Sequence, residues 1–329
     1  MPAAPATPIT SPSGAASASL DRCRRNDSVP GSSDPMPDRI PLIYNPAAGA
    51  RGARKAEKAI DTLTRLGYAV TALATSGPGS ATTLAATIAA EGWPLLVVAG
   101  GDGTINEAVN GIAGAGTSLA IIPTGTANVL ARELGVPADV KRACRAAVGG
   151  DRLAIDLGRA DGRYFTLMAG AGFDALVIKN LNPALKRAIR HAAFPVSGLK
   201  TYFGRELPLL RVTAGERVAE GCFVVAANSR YYGGRFGPTP EASMTDGLLD
   251  VCVLKEKSFT RMAEFWYRAL KTGRPGGPWV EYFRAGELEV ESAGGEKVLV
   301  QVDGELSGEL PARITVASRA LEVRVGAGR

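Results

Sequence analysis

Residues 95–113 read LLVVAGGDGTINEAVNGIA, and they allow few folds. The apolar run 95–98 stops at Gly100, Gly101 and Gly103, with Asp102 set among them. Ile105, Ala108, Val109 and Ile112 then recur at helical spacing. A strand that turns through glycines straight into a helix presents bare backbone N–H groups and a helix N-terminus to an anion. A Cβ there would hold the backbone away from the ligand. Taken alone, the segment also fits a tight strand-to-helix turn that binds nothing.

The segment sits in a longer alternation. IPLIYN, YAVTALAT, PLLVVAG and SLAIIP read as strands, each followed by a helical pattern. The first helix puts Ala56, Ala59, Ile60, Leu63 and Leu66 on one face and stops at Gly67. The helix that opens at Ala127 is expected to end near Gly135. This alternation predicts a parallel, doubly wound, Rossmann-like sheet. Its four post-strand turns, 45–49, 75–79, 100–104 and 124–126, then share one edge. In open α/β sheets ligands bind at that edge, beyond the carboxyl ends of the strands. Four polar or glycine turns together point to a nucleotide or phosphate site.

From about residue 151 the texture changes. LAIDLGRA, RYFTLMAG, LPLLRVTAG, RVAEGCFVVAAN, GLLDVCVL, GELEVES, EKVLVQVDGE, ARITVAS and LEVRVG are strand-like and separated by turns. They predict an antiparallel β-sandwich, with helices near 183–204 and 258–271. The expected division is a disordered tail over 1–38, an α/β nucleotide-binding domain over 39–150 and a β-rich domain over 151–329. The last strand is free to return to the first domain. Met36 stands just before the first strand, so either translation is expected to begin there or residues 1–35 are expected to be dispensable.

The net charge of +6 favours anionic partners. It does not choose among nucleotides, nucleic acid and an acidic membrane surface. No finger or stacking-rich pattern supports nucleic acid. No run of 18 apolar residues predicts a transmembrane helix, and the tail lacks the apolar segment of a signal peptide. A cytoplasmic chain is expected. Cys23, Cys144, Cys222 and Cys252 lie far apart with no CxxC pair, so reduced thiols are expected rather than zinc or disulfides. His191 is the single histidine, which argues against a His-based metal site.

IYNPAAGARG, VVAGGDGTINEAVNGI, IIPTGTANVLARELGVP, MAGAGFDALV, ANSRYYGGRFGPTPEASMTDGLLDVCVL and VQVDGELSG occur in that order within residues 40–325. Together they resemble the lipid kinases with a diacylglycerol-kinase catalytic domain, a family that includes bacterial diacylglycerol kinases and sphingosine kinases. GGDGT alone also occurs in NAD kinases. The resemblance implies an α/β nucleotide-binding domain followed by a β-sandwich, with ATP in the cleft. It implies phosphoryl transfer from Mg-ATP to a lipid hydroxyl, with diacylglycerol as the first choice of acceptor. A sphingoid-base or other lipid kinase, an NAD kinase, and a non-catalytic nucleotide- or lipid-binding protein remain alternatives.

By position, the resemblance puts Asn45, Gly49, Thr75, Gly100, Gly101, Asp102, Gly103, Thr104, Ile105, Asn106 and Thr126 at the nucleotide. Asp303 is its catalytic base, with Glu305 in support; Asp102 acts through Mg²⁺ or on the acceptor. Asp-Gly is equally a common turn pair. Glu107 either assists or is a solvated helix residue. Ser243, Asp246 and Leu248 resemble a structural magnesium site, one side chain and two carbonyls, or form a plain turn before a strand. Asp250 belongs to that site or to a strand face. Where relatives often have Asn-Asp after the PxGT turn, this chain has Asn128 followed by Val129. Ala47 and Ala48 stand where a hydroxyl residue is common. The stretch 184–205 combines Lys186, Arg187, Arg190 and Lys200 with Leu185, Ile189, Phe194, Leu199, Tyr202 and Phe203. It suits peripheral contact with an anionic membrane surface, or a helix packed on the second domain. A homodimer is left open.

Overall fold

The computed structural model describes residues 37–180, 207–232, 237–272 and 275–326. Strands β1 (Arg39–Tyr44), β2 (Ala69–Ala74), β3 (Leu95–Gly100) and β4 (Ser118–Pro123) run parallel in the order β2-β1-β3-β4. Helices α1 (Gly49–Arg65), α2 (Ser80–Ala90), α3 (Asp102–Ile112) and α4 (Val129–Glu133) follow the strands in turn. Both β3 and β4 are buried along their whole lengths, as a parallel sheet covered on two faces requires. Helix α1 buries Ala56, Ala59 and Leu63. Leu66 stays exposed, because it caps the helix and Gly67, at φ +98°, turns the chain away. Helix α3 buries Ile105, Ala108, Val109 and Ile112, together with Asn106.

After α5 (Val140–Gly149) the chain enters β5 (Asp151–Ala160), to which β6 (Arg163–Phe165) pairs. The long strand β16 (Ala312–Val325) joins β5 antiparallel and β4 parallel, with Val323 opposite Leu119. Through β16 the first sheet continues into β13 (Glu287–Ser292), β8 (Leu210–Ala214) and β9 (Arg217–Gly221). A second sheet, antiparallel throughout, runs β12-β11-β10-β7-β14-β15. Its strands are β7 (Met168–Gly172), β10 (Phe223–Ala227), β11 (Leu249–Leu254), β12 (Val280–Ala285), β14 (Leu299–Val302) and β15 (Glu305–Glu309).

The period of two along β10 explains its unbroken apolar sequence. Val224 and Ala226 face the core between the two sheets, while Phe223, Val225 and Ala227 belong to the other core. On that second face lies α7 (Phe259–Thr272), whose Phe265 meets Phe223 edge-on at 5.4 Å. The short helix α6 (Phe173–Lys179) follows β7.

Several strands differ from expectation for identifiable reasons. RYFTLMAG is two strands, broken where the backbone N–H groups of Thr166 and Leu167 turn toward the Asp303 carboxylate. RVAEGCFVVAAN is broken at Cys222, where the chain crosses from the first sheet to the second. ARITVAS and LEVRVG are one strand, with a register shift between Ala317 and Leu321 and Arg319 at φ +52°. The helix after Ala127 is only the five residues of α4, and β12, α5 and α6 went unmarked in the sequence.

The helix expected near 183–204, with all its basic and apolar residues, lies outside the described residues, as do Cys23, His191 and nearly all of the expected tail. Among the described residues no helix is long and apolar enough to cross a membrane. Cys144, Cys222 and Cys252 are free and buried; burial pushes their thiols up to about 11, 11 and 12.

Candidate active site

The strand order reverses between β1 and β3, and the crevice of an open α/β sheet opens at such a switch point. The 45–49 turn leaves β1 there and the glycine turn leaves β3 beside it. Thr75 and the 124–126 turn flank them at the ends of β2 and β4. Backbone bonds knit the edge: Thr75 N–H donates to the Tyr44 carbonyl at 2.9 Å, and Thr124 N–H to the Gly100 carbonyl at 3.0 Å. All four turns expected on one edge are therefore brought together.

Two helix N-termini open onto this crevice without a side-chain cap. Helix α1 starts at Gly49 behind Ala48, and α3 starts behind Gly101. Their unpaired N–H groups and dipoles favour an anion. Asn45 is occupied locally, its Oδ1 accepting Ala47 N–H at 2.8 Å. Gly101 and Gly125 touch backbone to backbone, since a Cβ on Gly125 would stand 2.6 Å from Gly101 Cα. Lys55, on α1, donates to the Pro123 carbonyl at 3.2 Å and so brings a cation to the same edge. Thr124 Oγ1 and Asn128 Oδ1 are buried there with no hydrogen-bond partner among the described residues, while Thr126 is exposed. Unsatisfied buried acceptors of this kind fit a site completed by a ligand.

Asp102 opens α3 and turns its carboxylate across the crevice to α4, accepting Leu130 N–H at 3.2 Å. Burial raises its carboxyl above the ordinary range; the Leu130 and Val129 N–H groups oppose this, and the charge of Asp303 adds to it. Val129 thus offers its backbone N–H to Asp102. Glu107 has neither of its expected roles. It caps α2, its Oε2 accepting Ala81 N–H at 3.1 Å.

The DGE segment reaches this site from the second sheet. Asp303 and Gly304 are the two-residue turn between β14 and β15, with φ +48° and +83°, as a type I′ hairpin requires. The Asp303 carboxylate accepts five hydrogen bonds. Oδ2 takes Asn106 Nδ2 at 2.7 Å, Thr166 N–H at 2.8 Å and Thr166 Oγ1 at 2.9 Å. Oδ1 takes Leu167 and Met168 N–H, both at 2.9 Å. Burial raises this carboxyl too, against the pull of those donors. The bond from Asn106 joins helix α3 of the glycine turn to a residue 197 positions later.

Glu305 has different surroundings. Its side chain is half exposed, Arg163 Nη2 lies 2.6 Å from Oε2, and Oε1 stands 3.5 Å from where a Cβ on Gly103 would be. Arg163 Nη2 also donates to Asn106 Oδ1 at 3.4 Å. Gly103 thus lies beside the DGE turn, whereas Thr104 stands against Gly100 and Ile105 is a core residue of α3.

The 243–250 loop lies elsewhere, on the approach to β11. Asp156 pins it, donating its N–H to the Met244 carbonyl at 2.7 Å and accepting Gly247 N–H at 2.7 Å. Asp246 Oδ1 accepts Leu248 N–H at 3.1 Å, and Ser243 Oγ accepts Thr245 N–H at 3.4 Å. Burial and then the charges of Asp250 and Asp156 raise the Asp246 carboxyl, with Arg284 opposing. Asp250 is a buried strand residue bonded to the Tyr282 hydroxyl and, at 3.2 Å, to Arg284 Nε. Among the described residues no group of three or more His, Cys, Asp or Glu side chains is arranged to hold a metal. A set of like charges around Asp246 does fit a hydrated cation held by one carboxylate and backbone carbonyls.

Lys55, Arg163 and Asn228 were not found from the sequence. For Lys55 the available signal was a basic residue in the second turn of a helix whose N-terminus faces an anion site. Asn228 is buried and donates to the Asp156 and Thr166 carbonyls at 2.8 and 3.1 Å, tying the anchor of the 243–250 loop to the segment that holds Asp303.

Comparison with known proteins bears on the family and the fold. The diacylglycerol kinase catalytic domain family matches residues 39–160, and the YegS C-terminal NAD kinase beta sandwich-like domain family matches residues 168–325. A protein named diacylglycerol kinase from Bacillus subtilis is 30% identical over 297 residues, covering 87% of this chain and 95% of that protein. One of the same name from Staphylococcus saprophyticus is 28% identical over 294 residues, covering 88% and 95%. A crystal structure of a Bacillus anthracis diacylglycerol kinase superposes with a TM-score of 0.71 at 25% identity, covering 88% of this chain and 97% of that one. Another solved Bacillus anthracis chain gives 0.74 at 24% identity, covering 88% and 98%, and at that identity the likeness carries the fold.

Proposed function

The chain belongs to the diacylglycerol kinase catalytic-domain family and is a kinase of that lipid-kinase group. On that premise we propose that it transfers the γ-phosphoryl group of ATP to a lipid hydroxyl, with diacylglycerol as acceptor and phosphatidic acid as product. The observation that carries this reading is the 2.7 Å bond from Asn106 to Asp303, which sets an anion-binding turn against a carboxylate-bearing one.

The triphosphate lies over the N-termini of α1 and α3, where backbone N–H groups and Lys55 meet its charge. Mg²⁺ bound with the nucleotide supplies neutralisation of the phosphate oxygens, and Asp102 is the side chain set to hold it. The negative charge of Asp303 facing Asp102 supports a cation between nucleotide and carboxylate. Glu305 takes the proton from the acceptor hydroxyl as its oxygen bonds to phosphorus and the bond to ADP breaks. Asp303 is the poorer base, because five donors already occupy its oxygens. Its role is to fix the turn from which Glu305 projects. A second, structural cation is held by Asp246 with the carbonyls of Ser243 and Leu248. The acceptor is met at an anionic membrane surface.

Purified protein incubated with Mg-ATP and, separately, diacylglycerol vesicles, a sphingoid base and NAD tests the reading. Phosphatidic acid as the main product is expected. A phosphorylated sphingoid base or NAD in its place, or no product, would overturn the acceptor assignment. Gly125→Ala tests the donor side. Its Cβ would clash with Gly101, and strain of about 1–3 kcal/mol in the two turns is expected to raise KM for ATP about tenfold or more. An unchanged KM would show that the contact does not shape the nucleotide site.

A further inference from the structure

The Asp303–Gly304 turn carries one bond that the phosphoryl-transfer scheme does not use. Gln301, the third residue of β14, folds its side chain back so that Oε1 accepts Gly304 N–H at 2.7 Å. Its Nε2 donates to Asp174 Oδ2 at 2.6 Å, and the other Asp174 oxygen accepts the Tyr232 hydroxyl. Gln301, Asp174 and the chain around them are buried. Gly170 lacks the Cβ that would stand 1.9 Å from Asp174 Oδ2, so the backbone of β7 leaves room for this carboxylate.

An amide side chain has one donating and one accepting end, and only one of its two orientations serves the turn. If the ends of Gln301 were exchanged, its NH₂ would face Gly304 N–H, donor against donor. A carboxylate accepts at both oxygens, so Asp174 dictates which end of Gln301 points at it. We infer that Gln301 is a positioning residue for Glu305, acting through the Gly304 amide, and that Asp174 sets its orientation. The inference rests on the kinase reading only for its effect on rate.

The Asp174 carboxylate is kept at a cost. Burial pushes its carboxyl up to about 6, against the hydrogen bonds of Tyr232 and Gln301. A carboxyl raised on folding makes stability fall as pH climbs from the ordinary carboxylate range through about 6, so at neutral pH the charge is a burden on the fold. The groups that face it are the Tyr232 phenol and the Gln301 amide. Among the described residues β7, β10 and β14 bring no ionisable side chain to α6; β15 brings only Glu305 and Glu309, and Lys179 stands at the far end of α6, all three exposed. Among the described residues no cation pairs with the carboxylate, and what it does bind is the amide of Gln301 and the phenol of Tyr232.

The test exchanges the two groups. In Gln301→Glu two buried carboxylates face each other, and their repulsion drives the new side chain from its place, taking the acceptor of Gly304 N–H with it. Combining Gln301→Glu with Asp174→Asn transposes the amide and the carboxylate, and every hydrogen bond can form again. The expected result has two parts. With Gln301→Glu, and with Gln301→Met, kcat falls about tenfold or more while KM for ATP stays near that of the parent, since geometry and not binding is lost. Amide hydrogen exchange at Gly304 accelerates in both single variants. The double variant restores slow exchange and kcat. Parental exchange at Gly304 in the single variants, or a folded double variant that restores neither property, overturns the inference. If the parent chain phosphorylates no lipid, the kinase reading falls, and the exchange pattern at Gly304 still decides this one.

Discussion

Glu305→Gln is expected to lower the rate of phosphoryl transfer by about 10²–10⁴-fold while leaving the fold and ATP binding intact. Glu305 is half exposed and pairs with Arg163, also partly exposed. An ion pair of that kind is worth about 0–1 kcal/mol, so its loss does not threaten stability. The glutamine keeps the shape and a hydrogen bond to the guanidinium, but it cannot take a proton. Single-turnover transfer measured beside equilibrium ATP binding checks this. A variant that binds ATP and transfers at the parental rate would remove Glu305 from the chemistry.

Asp303→Asn should act on stability first. The carboxylate accepts three backbone N–H groups, the Thr166 hydroxyl and the Asn106 amide. An asparagine replaces one accepting oxygen with a donating NH₂, which then faces at least two N–H donors whichever way the amide is turned. Each buried donor left unpaired costs about 1–3 kcal/mol, so a loss on the order of 2–4 kcal/mol is expected. It should appear as a lower urea midpoint, accompanied by loss of activity as the turn moves away from α3. The two substitutions therefore separate: Glu305→Gln reads in rate alone, Asp303→Asn in both. Parental stability for Asp303→Asn would contradict the anchoring role.

What could be read from the residues follows how local each signal is. The glycine turn was legible because a strand, its glycines and the following helix are contiguous, and a parallel sheet aligns all such turns on one edge. The family resemblance added the order of the motifs and the pairing of GGDGT with DGE. The resemblance made Asp303 the base with Glu305 in support, and the reverse division proposed above was not legible. Asp303 and Glu305 look equivalent as carboxylates, and what distinguishes them comes from Thr166, Leu167 and Met168, some 135–137 positions earlier. The same contact broke RYFTLMAG into two strands, although its apolar pattern is continuous. Glu107, equidistant in sequence between a catalytic and a solvated role, became a helix cap because α2 packs against α3. Gln301 and Asp174 gave no signal, since a glutamine in a strand and an aspartate in a short helix are unremarkable until the sheet places them in contact.

In the proposed mechanism one nucleotide site is made where the glycine turn of the parallel sheet meets the DGE turn of the second sheet. The structure of the chain crystallised with Mg²⁺ and a non-hydrolysable ATP analogue tests this most directly. The predicted result is a triphosphate across the switch point between β1 and β3, its terminal phosphate against the N–H groups of Gly101 to Thr104 and beside Glu305. A nucleotide bound away from that edge, or with its terminal phosphate remote from Glu305, would contradict it.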